Sequence, residues 1–249
     1  MLSRLPLRTQ KLAARLSAMV PSSCALCGAS GRDTLCAGCR KQFFAPRGAC
    51  CNQCAMPLAG GGDASRCGAC LDNTPAYDAT IAAVDYGAPI DQLVAALKFG
   101  GNLALAPLFA RLLRDALLNV TNAPQAPLPD LLLPVPLGEQ RLVQRGFNQA
   151  LEIARPLSRA LGIHIDARAA LRLRETDAQS SLHPEQRRKN IRGAFSVAPA
   201  LVGNIKGLHI GLVDDVMTTG ETLNELAATV KRFGAARVSN FVFARTLLK

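Results

Sequence analysis

The sequence predicts an α/β protein, in which a largely parallel sheet flanked by helices follows a small cysteine-rich module. Three observations support this prediction. Beyond residue 75, short apolar runs alternate with helical patterns, which is typical of parallel sheets. Four Cys-x-x-Cys pairs precede these runs. One apolar run, ending at Val213, leads into two carboxylates, a turn of small residues and a helix. We therefore divide the chain into a basic helical extension (residues 1–23), a double zinc module (24–74) and an α/β domain (75–249).

The overall charge favours anionic partners. The chain has 249 residues and a formal net charge of +11 at pH 7, which suits pyrophosphate, nucleotides or nucleic acid. Its apolar runs are too short to span a membrane. Residues 1–20 have an amphipathic helical pattern and lack the continuous apolar stretch of a secretory signal. We therefore expect a cytoplasmic protein.

Eight of the nine cysteines form the four pairs of the zinc module. The spacing within a pair allows two thiolates to bind one tetrahedral ion, so the four pairs predict two structural Zn²⁺ sites. A disulfide framework would need an oxidising compartment, and a redox reaction would need only one of the pairs. Sequential and crossed combinations of the pairs both remain open, and Cys50 is either a spare buried thiol or a competitor for the place of Cys51. The predicted zinc ligands are Cys24, Cys27, Cys36, Cys39, Cys51, Cys54, Cys67 and Cys70.

The α/β domain shows the patterns of alternating strands and helices. Apolar runs bounded by Gly and Pro indicate strands, and apolar residues three or four apart indicate helices. We expect the run at 131–137 to be the first strand of the main sheet and residues 161–173 to form a short edge element. The other expected elements are strand 79–84, helices 91–97 and 103–118, a helix ending near residue 160, a strand ending at residue 213, helix 223–230 and strand 237–245.

The acidic pair and the turn after Val213 predict a site for a sugar phosphate. A helix N-terminus presents unpaired N–H groups and the positive end of its dipole to a phosphate. Gly220 allows close approach of the backbone, and Asp214 and Asp215 can meet hydroxyl groups or Mg²⁺ on the other side of the turn. The glycine motifs of a P-loop and of a dinucleotide-binding fold are absent from the sequence. A ribose 5-phosphate fits this arrangement, and two solvated carboxylates beside an ordinary turn are the alternative.

Two further segments carry donors that suit the same ligand. The first follows the strand at 131–137, where we interpret Arg141, Arg145, Asn148 and Gln149 as contacts to pyrophosphate or substrate rather than as a solvated helix face. The second is a long, cationic insertion, which we interpret as a lid that closes over the ligand rather than as a disordered loop. The residues assigned to this lid are Arg174, Thr176, Gln179, Arg187, Arg188 and Asn190.

Residues 212–223 resemble the 5-phosphoribosyl pyrophosphate (PRPP) signature of type I phosphoribosyltransferases. Together with the four cysteine pairs, further motifs extend this resemblance to the ComF family over nearly the whole chain from Cys24. These motifs are Tyr86-Gly87, Lys98-Phe99-Gly100, Pro134-Val135-Pro136-Leu137, Arg145-Gly146-Phe147-Asn148-Gln149 and the loop with Thr176, Gln179, Leu182, Arg187 and Asn190.

The resemblance implies a double zinc ribbon on a type I phosphoribosyltransferase fold that binds PRPP together with Mg²⁺. It implies that Asp214 and Asp215 contact the ribose hydroxyls and act in catalysis. Thr218 stands where some relatives of the family carry an acidic residue that faces a purine, and that role is left unfilled here. The residues that the resemblance assigns to the 5-phosphate are Thr218, Thr219, Gly220, Glu221 and Thr222.

The resemblance also links the chain to DNA uptake in natural transformation. We expect a PRPP-binding phosphoribosyltransferase-like enzyme with an unidentified acceptor, acting in DNA uptake or in the use of incoming DNA. Its expected partners are PRPP, single-stranded DNA and the DNA-uptake machinery. The alternative is a non-catalytic protein on the same fold that binds single-stranded DNA or senses PRPP. Aromatic residues make up only 4% of the chain, which argues against tight binding of single strands by base stacking.

Overall fold

The computed structural model describes residues 22–58, 65–121, 127–174 and 191–247. The chain divides into two compact units, Met1–Ala45 and Pro46–Lys249. The described part of the first unit contains an antiparallel pair of strands, Ser22–Ser23 (β1) and Ser30–Gly31 (β2), and helix Ala37–Phe43 (α1). The predicted helical extension lies almost wholly outside the described residues.

The second unit contains the main sheet. The strands of the second unit are Ala79–Tyr86 (β3), Leu131–Pro134 (β4), His164–Ile165 (β5), Ala170–Arg172 (β6), Phe195–Val197 (β7), His209–Met217 (β8) and Arg237–Thr246 (β9). Five of them form a parallel sheet in the order β3-β9-β8-β4-β5, and β6 and β7 form a separate antiparallel pair. Ligands of open parallel sheets bind beyond the carboxyl ends of the strands. β4 ends at Pro134, opposite Val213 of its neighbour β8, which continues to Met217.

Helices cover both faces of this sheet. The helices of the second unit are Gly68–Asp72 (α2), Ile90–Lys98 (α3), Leu105–Thr121 (α4), Glu139–Arg145 (α5), Gln149–Leu161 (α6) and Glu221–Arg232 (α7), and a 3-10 helix spans Pro199–Asn204. On one face, Phe109 of α4 stacks on Phe243 of β9 with ring centroids 3.5 Å apart. On the other face, Leu226 of α7 belongs to the same buried cluster as Leu212 and Val242. The side chains of successive residues in β9 therefore point to opposite faces of the sheet, as in any strand.

The parallel sheet, its flanking helices and the N-terminal cysteine clusters confirm the predicted fold class, although several elements differ from expectation. We expected β4 to be the first strand of the main sheet along the chain. Instead, β3 precedes it in the sheet, and β4 is an inner strand. The sequence does not reveal this order, because strand order depends on pairing between distant segments. Helix α5 was not predicted. It ends at Gly146, which has a φ of 75°, and the side chain of Asn148 then caps α6. Residues 161–173 contribute to two sheets rather than to one edge element. Within the described ranges, every helix is too short or too polar to cross a membrane.

Candidate functional site

Four thiols come together in each of the two units. In both clusters the sulfur atoms lie within 4.8 Å of one another. The Sγ atoms of Cys27 and Cys36 are 3.7 Å apart, and those of Cys54 and Cys67 are 3.6 Å apart. A tetrahedral zinc ion with Zn–S bonds of about 2.3 Å separates its sulfur ligands by about 3.8 Å. The pairing is therefore sequential, and the clusters are Cys24, Cys27, Cys36 and Cys39, and Cys51, Cys54, Cys67 and Cys70.

The chemistry of the thiols also fits zinc. Burial raises the pKa of Cys54 to about 11, and a bound Zn²⁺ would stabilise the thiolate that metal binding requires. Four protein ligands leave no open position on the ion, which makes both sites structural. Cys50 belongs to neither cluster. It is half-buried, and its backbone pairs with that of Pro57.

The acidic pair lies close to the carboxyl end of β8. The Asp214 Oδ1 atom accepts a hydrogen bond from the backbone N–H of Asp215 at 2.9 Å, and Asp215 Oδ1 accepts one from the Val216 N–H at 2.7 Å. The other oxygen of Asp215 lies 3.0 Å from Nζ of Lys98, the last residue of α3. The Asp215 side chain is only 7% exposed, so this is a largely buried ion pair.

The two neighbouring carboxylates have different surroundings. Burial, and then the charge of Asp215, raises the pKa of Asp214 to about 7, although the ammonium group of Lys98 opposes this rise. Near neutral pH, Asp214 can therefore either donate a hydrogen bond to a sugar hydroxyl or accept one from it. Asp215, in contrast, is paired with the ammonium group of Lys98.

The turn after β8 has the geometry of an anion site. Gly220 lies directly before α7 with a φ of 86°, in the left-handed region that glycine adopts without strain. A Cβ atom at this position would lie 2.6 Å from Cε of Met217 and 3.1 Å from Oη of Tyr77. The buried hydroxyl of Thr219 has no hydrogen-bond partner within the described part of the chain. The turn therefore offers an anion a left-handed glycine and the N–H groups of a helix N-terminus.

A cavity of about 990 Å³ opens where β4 and β8 end. It brings together both aspartates, most of the turn and all four donors predicted to follow β4. Thr219 and Glu221 are not among the residues that line it. The predicted site residues in its lining are Asp214, Asp215, Thr218, Gly220, Thr222, Arg141, Arg145, Asn148 and Gln149.

The donors after β4 differ in how they are held. The Arg145 guanidinium lies over the ring of Phe99, 5.2 Å from its centroid, and burial lowers the pKa of Arg145. Gln149 is 4% exposed, and its Nε2 atom has no hydrogen-bond partner among the described residues. Asn148 has an architectural role, because its Oδ1 accepts from the Ala150 N–H at 3.0 Å and its Nδ2 donates to the Val135 carbonyl at 3.0 Å. A direct contact of Asn148 with a ligand stays a prediction.

The lid is largely outside the described residues, which include Arg174 but not Thr176, Gln179, Arg187, Arg188 and Asn190. Arg174 is exposed and donates to the carbonyl of Arg192. Its role in a lid stays a prediction.

The cavity also contains residues that the sequence did not assign to a site. Lys98 and Phe99 line it, as does Arg172, whose guanidinium lies 5.6 Å from the centroid of the Phe195 ring. In the sequence, Lys98 and Phe99 resemble an ordinary basic helix end. One signal was available, because Lys98-Phe99-Gly100 is among the motifs that carry the family resemblance, and in the structure Phe99 is 77% exposed.

Comparisons with known proteins agree with these features. Residues 15–71 match the family model of a double zinc ribbon domain. The chain is 35% identical to the DNA utilization protein YhgH of Salmonella typhi over 231 residues, which cover 92% of this chain and 99% of the relative. It is 34% identical to YhgH of Escherichia coli (strain K12) over the same shares. It is 33% identical to Competence protein F of Haemophilus influenzae over 215 residues, covering 86% of this chain and 91% of the relative.

Two solved structures show a weaker similarity. The glutamine PRPP amidotransferase from B. subtilis, complexed with ADP and GMP, matches with 17% identity and a TM-score of 0.36. The match covers 55% of this chain and 26% of the amidotransferase, so the chain spans about a quarter of that protein. The purine phosphoribosyltransferase from Pyrococcus horikoshii matches with 16% identity and a TM-score of 0.33, covering 56% of this chain and 83% of the enzyme. The identities to YhgH and Competence protein F, which extend over most of the sequence, show that the chain belongs to the ComF family.

Proposed function

We propose that the chain binds PRPP together with Mg²⁺ in the cavity at the ends of β4 and β8 and transfers its phosphoribosyl group to an acceptor. One observation supports this above all others. One cavity of about 990 Å³ is lined by the acidic pair, by most of the turn at residues 218–222 (the phosphate-type turn) and by two arginines. These groups come from distant segments of the chain. That volume lies at the upper end of the range for small-molecule sites.

In this proposal, the turn binds the 5-phosphate. Residues 218–222 offer backbone N–H groups at the start of α7. Asp214 and Asp215 hold the two ribose hydroxyls. Lys98 offsets part of the charge of Asp215, although burial and that charge still raise the pKa of Asp214.

The arginines would face the pyrophosphate. Arg141 and Arg145 line the same cavity, and a guanidinium can bind a phosphate through two parallel hydrogen bonds. Bound Mg²⁺ would neutralise part of the pyrophosphate charge. During transfer, the bond from the anomeric carbon to pyrophosphate breaks, and pyrophosphate leaves with the electron pair. The acceptor forms the new bond and loses a proton, while the negative charge of Asp214 and Asp215 stabilises the positive charge that develops on the sugar.

Calorimetry with PRPP and Mg²⁺ tests the binding step, and pyrophosphate release with bases, nucleosides and oligonucleotides tests the transfer step. Asp214→Asn is a suitable control, because its side-chain oxygen can still accept the hydrogen bond from the Asp215 N–H. We expect the wild type to bind PRPP at least about tenfold more tightly than this variant, which corresponds to about 1.4 kcal/mol. Equal binding by both proteins, or no heat with either, contradicts the binding proposal. Binding without pyrophosphate release from any acceptor contradicts the transfer step alone.

A second candidate function is binding of nucleic acid. The relatives are named for DNA utilization and for competence, and the net charge of +11 favours a polyanion. Phe99 offers an exposed ring on which a base can stack at the cavity. In this case, affinity for single-stranded DNA falls steeply as salt rises, and PRPP competes with DNA. Phe99→Ala should weaken DNA binding, whereas Leu173→Ala, at another exposed apolar residue, should not. Absent or salt-independent DNA binding contradicts this candidate.

A further inference from the structure

Arg245 is a buried arginine that the proposed reaction does not use. It lies in β9 and is only 2% exposed. Its Nε atom donates to the carbonyl of Cys54 at 2.8 Å, and Nη1 donates to the carbonyls of Met217 at 3.1 Å and Thr246 at 2.8 Å. Nη1 also contacts the carbonyl of Thr218. One guanidinium therefore joins the second cysteine cluster to the first residues of the phosphate-type turn.

Burying a charged guanidinium is unfavourable unless hydrogen bonds compensate for the lost water. A buried cation is tolerated when its donors are paired, and the four partners of Arg245 named above are all backbone carbonyls. Backbone acceptors mean that Arg245 positions chain segments rather than individual side chains. Lysine could not replace it, because a single ammonium group lacks the rigid fork that reaches separate carbonyls at once.

A second set of contacts joins the same two regions. Gln53, which lies between Cys51 and Cys54, donates from Nε2 to the carbonyl of Tyr77 at 2.9 Å. The buried Tyr77 side chain in turn lies against Gly220, with its hydroxyl 3.1 Å from the position of a Cβ atom. Three ligands of the second cysteine cluster are in the same buried cluster as Tyr77 and Met217. The turn is thus connected to the second cysteine cluster by two sets of contacts, one through Arg245 and one through Tyr77.

We propose that Arg245 is a positioning residue through which the second zinc site and the phosphate-type turn stabilise each other. This inference rests on the proposed binding of a ribose phosphate at the turn. Zinc at Cys51, Cys54, Cys67 and Cys70 would hold the Cys54 carbonyl in place, and Arg245 would transmit that position to the Met217 and Thr218 carbonyls. Because linkage between two sites is reciprocal, a ligand at the turn must raise zinc affinity by the same factor by which zinc raises ligand affinity.

The test measures zinc affinity in the full-length protein by competition with a chromophoric chelator, without and with saturating ribose 5-phosphate. Replacing both Cys36 and Cys39 by serine leaves the second site alone and identifies its signal. We expect ribose 5-phosphate to raise zinc affinity of the second site at least about fivefold. The zinc affinity of the first site, which lies in the other compact unit, should not change. Arg245→Met should remove the effect on the second site.

Calorimetry on the same preparation separates the possible failures. No heat with ribose 5-phosphate overturns this inference, and no heat with PRPP and Mg²⁺ either overturns the proposed function with it. Heat without a change in zinc affinity of the second site overturns the coupling alone, and the wild type is sufficient for that result even if Arg245→Met does not fold. An equal gain at both zinc sites, or an undiminished gain in a folded Arg245→Met variant, overturns the role of Arg245.

Discussion

The ion pair between Lys98 and Asp215 allows a quantitative prediction for Lys98→Met. The variant removes a cation 3.0 Å from a carboxylate whose side chain is 7% exposed. At that distance, an effective dielectric constant of about 20 corresponds to an attraction of roughly 5 kcal/mol. Removing one partner of a buried pair costs about 3–5 kcal/mol, and Lys98 is 23% exposed, so water recovers part of the loss. We expect the free energy of unfolding to fall by about 3 kcal/mol.

Urea unfolding followed by far-UV circular dichroism, with zinc present, measures this loss, because the chain has no tryptophan for fluorescence. Lys231→Met is the matched control. Lys231 also lies in the last turn of a helix and pairs with Asp78 at 2.8 Å, but both of these side chains are more than 30% exposed. An exposed pair is worth under about 1 kcal/mol. In thermal unfolding, the Lys98 variant should melt about 6–12 °C below the wild type.

A double variant tests whether the uncompensated charge causes the loss. Lys98→Met combined with Asp215→Asn removes the whole pair, so we expect it to be more stable than Lys98→Met alone. If Lys98→Met loses no more stability than Lys231→Met, the reasoning about a buried pair is wrong. It is also wrong if the double variant is as unstable as the sum of its single variants, because the two side chains would then not be coupled.

Three further predictions concern the turn, the acidic pair and the thiols. Gly220→Ala should weaken ribose 5-phosphate binding at least about tenfold in calorimetry, because of the φ of 86° and the clash of the new Cβ, whereas Gly203→Ala, with open space around it, should bind normally. The pKa of Asp214, raised to about 7, means that the folded state binds a proton more readily than the unfolded state, so stability falls as pH rises from about 4 to 7. Asp214→Asn should flatten this slope in urea titrations. Metal analysis should find two zinc ions per wild-type chain and in Cys50→Ser, but only one in Cys67→Ser.

Each of these has a contradicting result. Equal ribose 5-phosphate affinity in the two glycine variants would show that the turn tolerates a side chain. An unchanged pH slope in Asp214→Asn would place the titrating group elsewhere. Loss of a zinc ion in Cys50→Ser would make Cys50 a ligand.

The candidate site was predictable where a few neighbouring residues determine its geometry. The spacing of Cys51 and Cys54 lets both sulfur atoms reach one ion, and a strand, an acidic pair and a glycine turn before a helix bring carboxylates and N–H groups together. The spacing of apolar residues similarly predicted most strands of the sheet and most of the helices that flank it. The order of the strands, and the sequential pairing of the cysteines, could not be deduced in this way, because both depend on contacts between separate segments.

The sequence by itself therefore determined the zinc ligands, the fold class and the turn after β8, since each is encoded within a short stretch of chain. Only the tertiary structure decided that Lys98 pairs with Asp215 and that Arg245 joins Cys54 to the same turn. These residues are far apart in the chain, and their charges look like ordinary surface cations in the sequence. Packing of α3 and β9 beside the end of β8 removes Arg245 from water and shields much of Lys98, and burial is what turns an ordinary charge into a specific contact.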